Sequence, residues 1–280
     1  MRMDLRPGRT GDLSAIRTLW KTCFGDTDGY IDLFFRDCAG AEDFLLLTEG
    51  GAPRAMLCGL PAPIRDRDGA LHEAVYVYAL CSHPDEKGRG LAQRLLSYAF
   101  DTYGRGGLQA VHLVPAGPSL FSYFGRQGFS ADLPLRLWTP PALSGAPGRV
   151  EALTPAAYGA LRGTLLAGAA HVVPEARQIA HQKNLSRLGG ADLYALHIGG
   201  HTAAAAAENI GGAFLARELL PPAGLSAREA AALLTSRFPG RWQLRMPLSA
   251  DEGEAIPFGV VRWLGKTAAP GPIHPAFVFD

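Results

Sequence analysis

The sequence lacks the features that mark secreted, membrane-spanning and metal-binding proteins. The N-terminal stretch MRMDLRPGRTGD has no apolar core of a signal peptide, and the longest apolar stretches, around 74–81 and 165–173, are much shorter than the roughly 18 residues of a membrane span. The eight histidines show no HxxxH or HExxH spacing, which predicts no metal site. The four cysteines show no CxxC spacing. We therefore expect a cytoplasmic protein with reduced thiols.

An excess of charge of one sign is also missing. The 27 lysines and arginines offset 26 aspartates and glutamates, so the formal net charge is +1. This balance removes the electrostatic argument for a nucleic-acid or membrane partner, and we expect neither. The 280 residues, 48% of them hydrophobic, can form one large domain or two small ones. The 34 glycines and 21 prolines follow no regular period, which excludes a collagen or repeat array.

Hydrophobic periodicity in the first half predicts helices alternating with strands. Apolar residues recur at helical spacing after Asp12, which we expect to cap the first helix, and again over 91–103. Strands are predicted at 3–7, 44–48, 55–60, 73–82 and 109–114. The three middle strands form a meander, and the last follows a crossover helix and should lie parallel to its neighbour. These elements predict a fold that mixes helices and strands, of the α/β class in the broad sense that includes α+β folds.

The composition changes abruptly at 139–150, where TPPALSGAPG indicates a linker. The segment 151–280 then repeats the order of the first half: two helices, a meander of three strands, a helix and a strand. We therefore predict two domains of related architecture, 1–138 and 151–280, although no residue-level repeat accompanies the pattern.

The segment VYVYALCSHPDEKGRGLAQRLL, residues 75–96, is the most informative part of the chain. It reads as a strand, a turn at His83, and a glycine-containing loop that leads directly into a helix. Free N–H groups in the first turn of such a helix, with the positive end of its dipole, form an anion site that suits a pyrophosphate. The dinucleotide fingerprint GxGxxG fails here because Gln93 replaces its third glycine.

Lys87-x-x-Gly90-x-Ala92 resembles the Gln/Arg-x-x-Gly-x-Gly/Ala motif of the GCN5-related N-acetyltransferases (GNAT). The segment 120–129, LFSYFGRQGF, is similar to a later helix of that family, which ends in Tyr-x-x-x-Gly-Phe. The segment from Trp20 to Phe35 looks like the opening of a bacterial subgroup with a degenerate second GNAT-like half. The resemblance implies tandem GNAT-like units, each a mixed, mostly antiparallel sheet flanked by helices.

The resemblance also implies acetyl-CoA as co-substrate. Its pyrophosphate would lie on the loop and helix start formed by Lys87, Gly88, Arg89, Gly90, Leu91 and Ala92. Its pantetheine would pair with the backbone of Leu80, Cys81 and Ser82, and Ser119 completes the implied cofactor site. Arg89, Arg94 and Arg126 are either partners of the CoA 3′-phosphate or solvated helix residues.

The catalytic residues are less well marked by the resemblance. The family's usual tyrosine, which protonates the leaving thiolate, aligns with Phe124, so Tyr123 is the candidate acid. In some tandem relatives the C-terminal carboxylate acts as a base, which makes Asp280 the candidate here. His83 and His112 are alternative bases, although a turn residue and a structural histidine are the simpler interpretations.

We thus predict an acetyl-CoA-dependent N-acetyltransferase that transfers its acetyl group directly to an amine of a small molecule or peptide, as a monomer or homodimer. The first alternative is a non-catalytic acyl-CoA-binding or sensing module, because Phe124 stands where the acid is expected. The second is a peptidyl or aminoacyl transferase that uses a different donor.

Overall fold

A computed structural model describes residues 3–265, 270–277 and 279. Its strands are β1 (Met3–Pro7), β2 (Phe44–Glu49), β3 (Ala52–Pro61), β4 (Ile64–Arg65), β5 (Leu71–His72), β6 (Ala74–Ser82), β7 (Ala110–Leu113), β8 (Ser130–Trp138), β9 (Arg149–Ala152), β10 (His171–Val172), β11 (Leu193–Ile198), β12 (His201–Ile210), β13 (Ala213–Leu220), β14 (Trp242–Met246) and β15 (Glu254–Trp263). Its α-helices are α1 (Leu13–Phe24), α2 (Asp28–Asp37), α3 (Leu91–Arg105), α4 (Ser119–Arg126), α5 (Pro155–Leu165), α6 (Ala176–Leu188) and α7 (Ala227–Arg237). The predicted mixed α/β class is confirmed.

Contacts divide the described chain into two compact units, and each unit draws on both halves of the sequence. The first unit draws on Met1–Pro63, His72–Ser130 and Val260–Ala269, and the second on Ile64–Leu71, Ala131–Gly259 and Pro270–Asp280. This division differs from the predicted domains, 1–138 and 151–280, and the predicted linker, 139–150. Those domain boundaries stay a prediction. Contacts assign β8 after its first residue to the second unit, and the end of β15 to the first.

The first unit is built on a mixed sheet in the order β1-β2-β3-β6-β7, followed by the end of β15. Its neighbouring strands are antiparallel except β6 and β7, which run parallel because α3 connects them as a crossover helix. This parallel pair was predicted. Val260–Trp263, the end of β15, pair with all four residues of β7 and are the last part of this sheet within the first unit.

Helices cover both faces of this sheet. On one face, the apolar stripe of α3 at Leu91, Leu95 and Ala99 packs against the inward side chains of the strands, including Val75 and Val77. On the other, α1 and α2 bring aromatic rings together around Trp20, which is buried. The two faces therefore have different chemistry: the α3 face is largely aliphatic and the α1 face is aromatic.

The second unit repeats this arrangement around a sheet in the order β8-β14-β13-β12-β11-β9. Its parallel pair is β13 and β14, joined by α7. Small side chains let α7 lie close to the sheet, and the alanine-rich middle of β12, residues 203–207, is fully buried. The tandem architecture that the resemblance implied is thus present in the fold.

Two local expectations differ from the structure. Asp12 precedes α1 but makes no capping hydrogen bond with its side chain, because its carboxylate binds the Arg6 guanidinium and the Arg9 backbone N–H. The strands β9 and β15, and the two-residue strands β4, β5 and β10, were not predicted. β15 contains Pro257, which lacks an N–H group and discourages a strand assignment from sequence.

Candidate functional site

A bulge interrupts β6 at Ala79, a non-glycine residue with a φ of 51°. The pairing of β6 with β3 shifts there, since Tyr78 faces Cys58 whereas Cys81 faces Met56. One extra residue on β6 therefore lies opposite the partner strand, and such a residue re-aims the side chains that follow it.

The bulge changes which face of the sheet the end of β6 uses. Tyr78 packs on Trp20 and Phe34 on the α1 face. Leu80 instead packs against the aliphatic cluster on the α3 face, together with Val77. In a strand with strict alternation Leu80 would share the face of Tyr78, and the bulge places it on the opposite face.

The strands β6 and β7 diverge after a short parallel pairing. Their register ends with Tyr76 opposite His112, and β7 ends one residue later, whereas β6 continues to Ser82. Within the described residues, β6 beyond Tyr76 pairs with β3 and has no strand on its β7 side. Leu80, Cys81 and Ser82, predicted as cofactor-binding, lie on this segment, and an extended ligand backbone could pair there as an added strand.

The loop after β6 holds its glycines in left-handed conformations. A short helical turn covers Pro84–Glu86, and the chain then passes through Gly88 and Gly90, with φ of 84° and 70°. No atom lies within 4 Å of the position that a Cβ would take at either glycine, so the loop surface is open there. Both positions need glycine for their backbone angles rather than for lack of space.

The N-terminus of α3 has no side-chain cap. Its first helical hydrogen bond runs from the Arg94 N–H to the Gly90 carbonyl. Within the described residues, the N–H groups of Gly90, Leu91 and Ala92 have no acceptor. Unsatisfied N–H groups and the helix dipole together suit this end of α3 to an anion, and the binding of an anion there stays a prediction.

The charged side chains around this loop are already partly engaged. Glu86 is buried, and its carboxylate pairs with Arg89 and lies 3.9 Å from Arg54. Lys87 is exposed. Arg89 and Arg94 border an open groove along α3, and Arg94 also contacts the sulfur of Met3. Lys87, Arg89 and Arg94 thus lie near the loop, while the candidate anion site itself consists of backbone N–H groups.

In the second unit, side chains of the same unit bind the N–H groups at the N-terminus of the corresponding helix, α7. Ser226 caps α7 by accepting from the Glu229 N–H, and the Glu229 carboxylate accepts in return from Ser226. The Asp251 carboxylate accepts from the Ala227 N–H at 2.9 Å. Two acidic side chains therefore take the places that an anion would use, so the second unit offers no equivalent site at α7.

The helix α4 carries the candidate acid. Ser119 is exposed at its first position, Phe124 is buried in the core of the first unit, and Tyr123 is half-buried beside it with ring centroids 5.1 Å apart. Burial raises the pKa of Tyr123, which keeps its hydroxyl protonated at neutral pH. Phe124 therefore serves packing, and Tyr123 is the tyrosine that α4 carries.

Arg262, which the sequence analysis did not single out, contacts the C-terminal end of α4. Arg262 on β15 stacks over the Phe100 ring at 4.0 Å and donates a hydrogen bond to the Gln127 carbonyl. Its guanidinium also lies against Gly128, the left-handed residue that ends this turn. No local signal could have found Arg262, because about 135 residues separate it from its partner.

Tyrosines and a histidine line the α1 face next to the diverging strands. The hydroxyls of Tyr30 and Tyr78 are 2.6 Å apart, and burial raises the pKa of Tyr78 well above its usual value. His112 hydrogen-bonds to the Ala62 carbonyl and packs edge-on against Tyr76. Burial lowers the pKa of His112 to about 4, so this histidine is neutral at physiological pH.

The remaining predicted residues are distributed as follows. His83 accepts from the Asp85 N–H within the short turn, as its simpler interpretation required. Asp280 lies outside the described residues. Among the residues that are described, no group of three side chains could hold a metal ion, and no helix has the length and apolar character needed to cross a bilayer.

Comparisons with known proteins agree with this geometry. The family model for an acetyltransferase (GNAT) domain matches residues 4–131. A GCN5-related N-acetyltransferase from Anabaena variabilis has a similar structure, with a TM-score of 0.76, 11% identity, and 94% of this chain and 73% of that one covered. A GCN5-related N-acetyltransferase from Kribbella flavida has a TM-score of 0.69 and 15% identity, with 94% of this chain and 72% of that one covered. Eis1 from Mycobacterium abscessus has a TM-score of 0.67 and 9% identity, with 93% of this chain and 74% of that one covered.

At these identities the structures show a shared fold over nearly the whole chain and nothing finer. No curated protein matches the sequence. The matched family model, the diverging parallel strands and the uncapped helix after the Lys87-x-x-Gly90-x-Ala92 loop all belong to the same segment of the first unit. Residues 4–131 are therefore similar to a GNAT acetyltransferase domain, and the chain as a whole shares the fold of GCN5-related N-acetyltransferases.

Proposed function

We propose that this protein is an acetyl-CoA-dependent N-acetyltransferase that acts on an amine of a small molecule or a peptide. The observation that carries the proposal is the uncapped N-terminus of α3 directly after the open end of β6. A ligand that suits both features has an anionic group for the helix and an extended amide-containing arm for the strand. CoA has both.

The donor would bind mainly through backbone groups. The N–H groups of Gly90, Leu91 and Ala92 would donate to the pyrophosphate, and the backbone of 80–82 would pair with pantetheine. Lys87 and Arg89 would add charge at the edge of the loop. A site of this kind needs no excess positive charge, which suits a chain with a net charge of +1.

Transfer would occur beside the bulge at Ala79. The acceptor nitrogen attacks the thioester carbonyl carbon, the C–S bond breaks, and the thiolate of CoA takes the proton of Tyr123. The nitrogen loses its proton to a base, for which Asp280 stays the prediction. An N–H group of the bulged backbone would stabilise the oxyanion. No cysteine needs to form an acyl intermediate.

The amine must be neutral to attack, and an ordinary amine with a pKa near 10 is mostly protonated at neutral pH. The acceptor would approach the α1 face, where the hydroxyls of Tyr30 and Tyr78 meet and the Tyr76 ring contacts both Tyr78 and the buried ring of His112. Aromatic walls of this kind suit an amine that carries apolar or cationic groups.

The test combines thiol release with ligand binding. Purified protein is incubated with acetyl-CoA and a panel of polyamines, aminoglycosides, amino acids and peptides, and free CoA is measured. We expect release that depends on one acceptor class. Binding of CoA without turnover on any amine would favour the acyl-CoA-binding module, and no stabilisation by acetyl-CoA would favour a transferase that uses another donor.

Tyr123→Phe tests the acid. We expect kcat to fall by about 10²-fold or more, with CoA affinity unchanged, because only the proton donor is removed. Tyr194→Phe is the matched control, since burial also raises the pKa of this second-unit tyrosine, to about 12. Equal kcat in the wild type and Tyr123→Phe would remove Tyr123 from the mechanism.

The cytoplasmic location and the monomeric or homodimeric state stay predictions. Size-exclusion chromatography with light scattering measures the oligomeric state, and a complex larger than a dimer would contradict the prediction.

A further inference from the structure

Two of the four cysteines meet at the end of β6. Cys23 lies in the last turn of α1, and its thiol donates a hydrogen bond to the Ser82 carbonyl, with 3.5 Å between sulfur and oxygen. Cys81 directly precedes Ser82, and the Cys23 and Cys81 thiols are close enough to influence each other's ionisation. Both side chains are partly exposed, whereas Cys38 and Cys58 are buried.

The bulge at Ala79 explains this meeting. In an uninterrupted strand, Cys81 would share the α3 face with Val75 and Val77. The extra residue moves Leu80 onto that face instead, and Cys81 turns toward α1. The distortion that opens the end of β6 therefore also brings a strand thiol next to a helix thiol.

The two thiols differ in reactivity. The neighbouring Cys81 thiol lowers the pKa of Cys23 and favours its thiolate. The pKa of Cys81 is raised by the neighbouring Cys23 thiol and because Cys81 is more buried. Cys23 is therefore suited to attack first, and Cys81 to attack second from a neighbouring position.

We infer that Cys23 and Cys81 form a modification site, at which exchange with a low-molecular-weight disulfide such as oxidised glutathione produces a reversible intramolecular disulfide. The Cys23 thiolate attacks one sulfur of the reagent and expels a thiolate, which forms a mixed disulfide. Cys81 loses its proton to solvent and attacks the Cys23 sulfur, which expels the second thiolate. The reagent is reduced to two thiols and the protein loses two hydrogen atoms.

The geometry brings the two side chains together, because Cys23 contacts the carbonyl of Ser82, the residue next to Cys81. A disulfide requires the two sulfur atoms to approach to about 2.05 Å. The bond would tie the last turn of α1 to the segment of β6 proposed to pair with pantetheine. Weaker CoA binding by the oxidised form follows, and this consequence rests on the proposed function.

The experiment uses the full chain. Reduced protein is incubated with a graded excess of oxidised glutathione, and intact mass, free thiols and peptide cross-links are measured without reductant. We expect the loss of two hydrogen atoms and two free thiols, and a peptide cross-link between Cys23 and Cys81. Dithiothreitol should restore the starting mass.

Variants assign the roles. Cys81→Ala should retain glutathione on Cys23 as a mixed disulfide, because the second attack is removed, and Cys23→Ala should form no disulfide at Cys81. The matched controls Cys38→Ala and Cys58→Ala should cross-link as the wild type does. A wild-type protein that stays reduced, retains one glutathione, or cross-links another pair would overturn the inference.

CoA binding to the two forms is then compared by calorimetry. We expect the oxidised protein to bind CoA at least ten-fold more weakly, and equal affinity would overturn the regulatory consequence. If even the reduced protein fails to bind CoA, the proposed function fails, while the mass and cross-link data still decide the disulfide.

Discussion

Gly90→Ala tests the anion site most directly, because it changes backbone geometry without filling space. Residue 90 has a φ of 70°, and nothing lies within 4 Å of the position of its Cβ. An L-residue in this conformation costs about 1–2 kcal/mol. A less flexible unfolded chain returns about 0.4–1 kcal/mol. We therefore expect the free energy of unfolding to fall by about 1 kcal/mol.

The binding effect should exceed this loss of stability. If the residue relaxes toward negative φ, the peptide planes at the start of α3 rotate and at least one N–H turns away from the pyrophosphate. A hydrogen bond to a charged group contributes about 1.5–3 kcal/mol, and 1.4 kcal/mol corresponds to a factor of ten in affinity. We expect CoA to bind at least ten-fold more weakly to Gly90→Ala in calorimetry.

Gly104→Ala is the matched control. Gly104 lies in the same helix, its φ is not positive, and nothing lies within 4 Å of the position of its Cβ. Alanine there should stabilise the protein by about 0.5–1 kcal/mol in urea unfolding and leave CoA binding unchanged. If Gly90→Ala matches the wild type in both stability and CoA affinity, the loop does not bind the ligand as argued.

Three further substitutions test the packing around the two sheets. Glu218→Gln removes the carboxylate that pairs with buried Arg162, and we expect about 3 kcal/mol less stability in urea unfolding. Burial raises the pKa of Glu218, but Arg162 and His274 lower it further, so the net shift is downward; the wild-type advantage should decrease as the pH falls below 4.5, the ordinary pKa of this carboxyl, and an advantage that does not change on acidification would contradict this account. His112→Asn should flatten the pH dependence of stability: the wild type should lose up to about 3 kcal/mol between pH 6.5 and 4, because the unfolded chain binds a proton that the buried imidazole does not, and equal slopes for both proteins would refute the assignment. Arg262→Met should cost about 2 kcal/mol in the same assay by removing the cation stacked on Phe100 and its hydrogen bond to the backbone, and an unchanged midpoint would show that neither contact matters.

The sequence predicted the regular parts of the first unit well, because they depend on local patterns. The apolar period of α3, the turn at His83 and the glycines before the helix are all readable within about twenty residues. The resemblance to the GNAT family rested partly on the same short segment, and the family model that matches residues 4–131 agrees with it.

The parts that could not be predicted depend on distant contacts or broken rules. The bulge at Ala79 could not be predicted, because the residue with positive φ is not a glycine. The bulge places Leu80 on the opposite face of the sheet and Cys81 next to Cys23. β15 was not predicted because it contains Pro257, a residue that is untypical of strand interiors. Its contacts with β7 lie far along the chain, beyond the reach of any local pattern.

The pairing of Val260–Trp263 with β7 has a consequence for synthesis. The two strands are about 150 residues apart in sequence, so a nascent chain that has completed β7 still lacks the strand that closes this side of its first sheet. At about 5–20 residues per second, the ribosome takes roughly 7–30 s to supply it. During that interval the edge of β7 is open to other chains in the same polysome. A gene cut after the first half would make this interval permanent, so the cell must deliver nearly the whole polypeptide before the first unit can be complete.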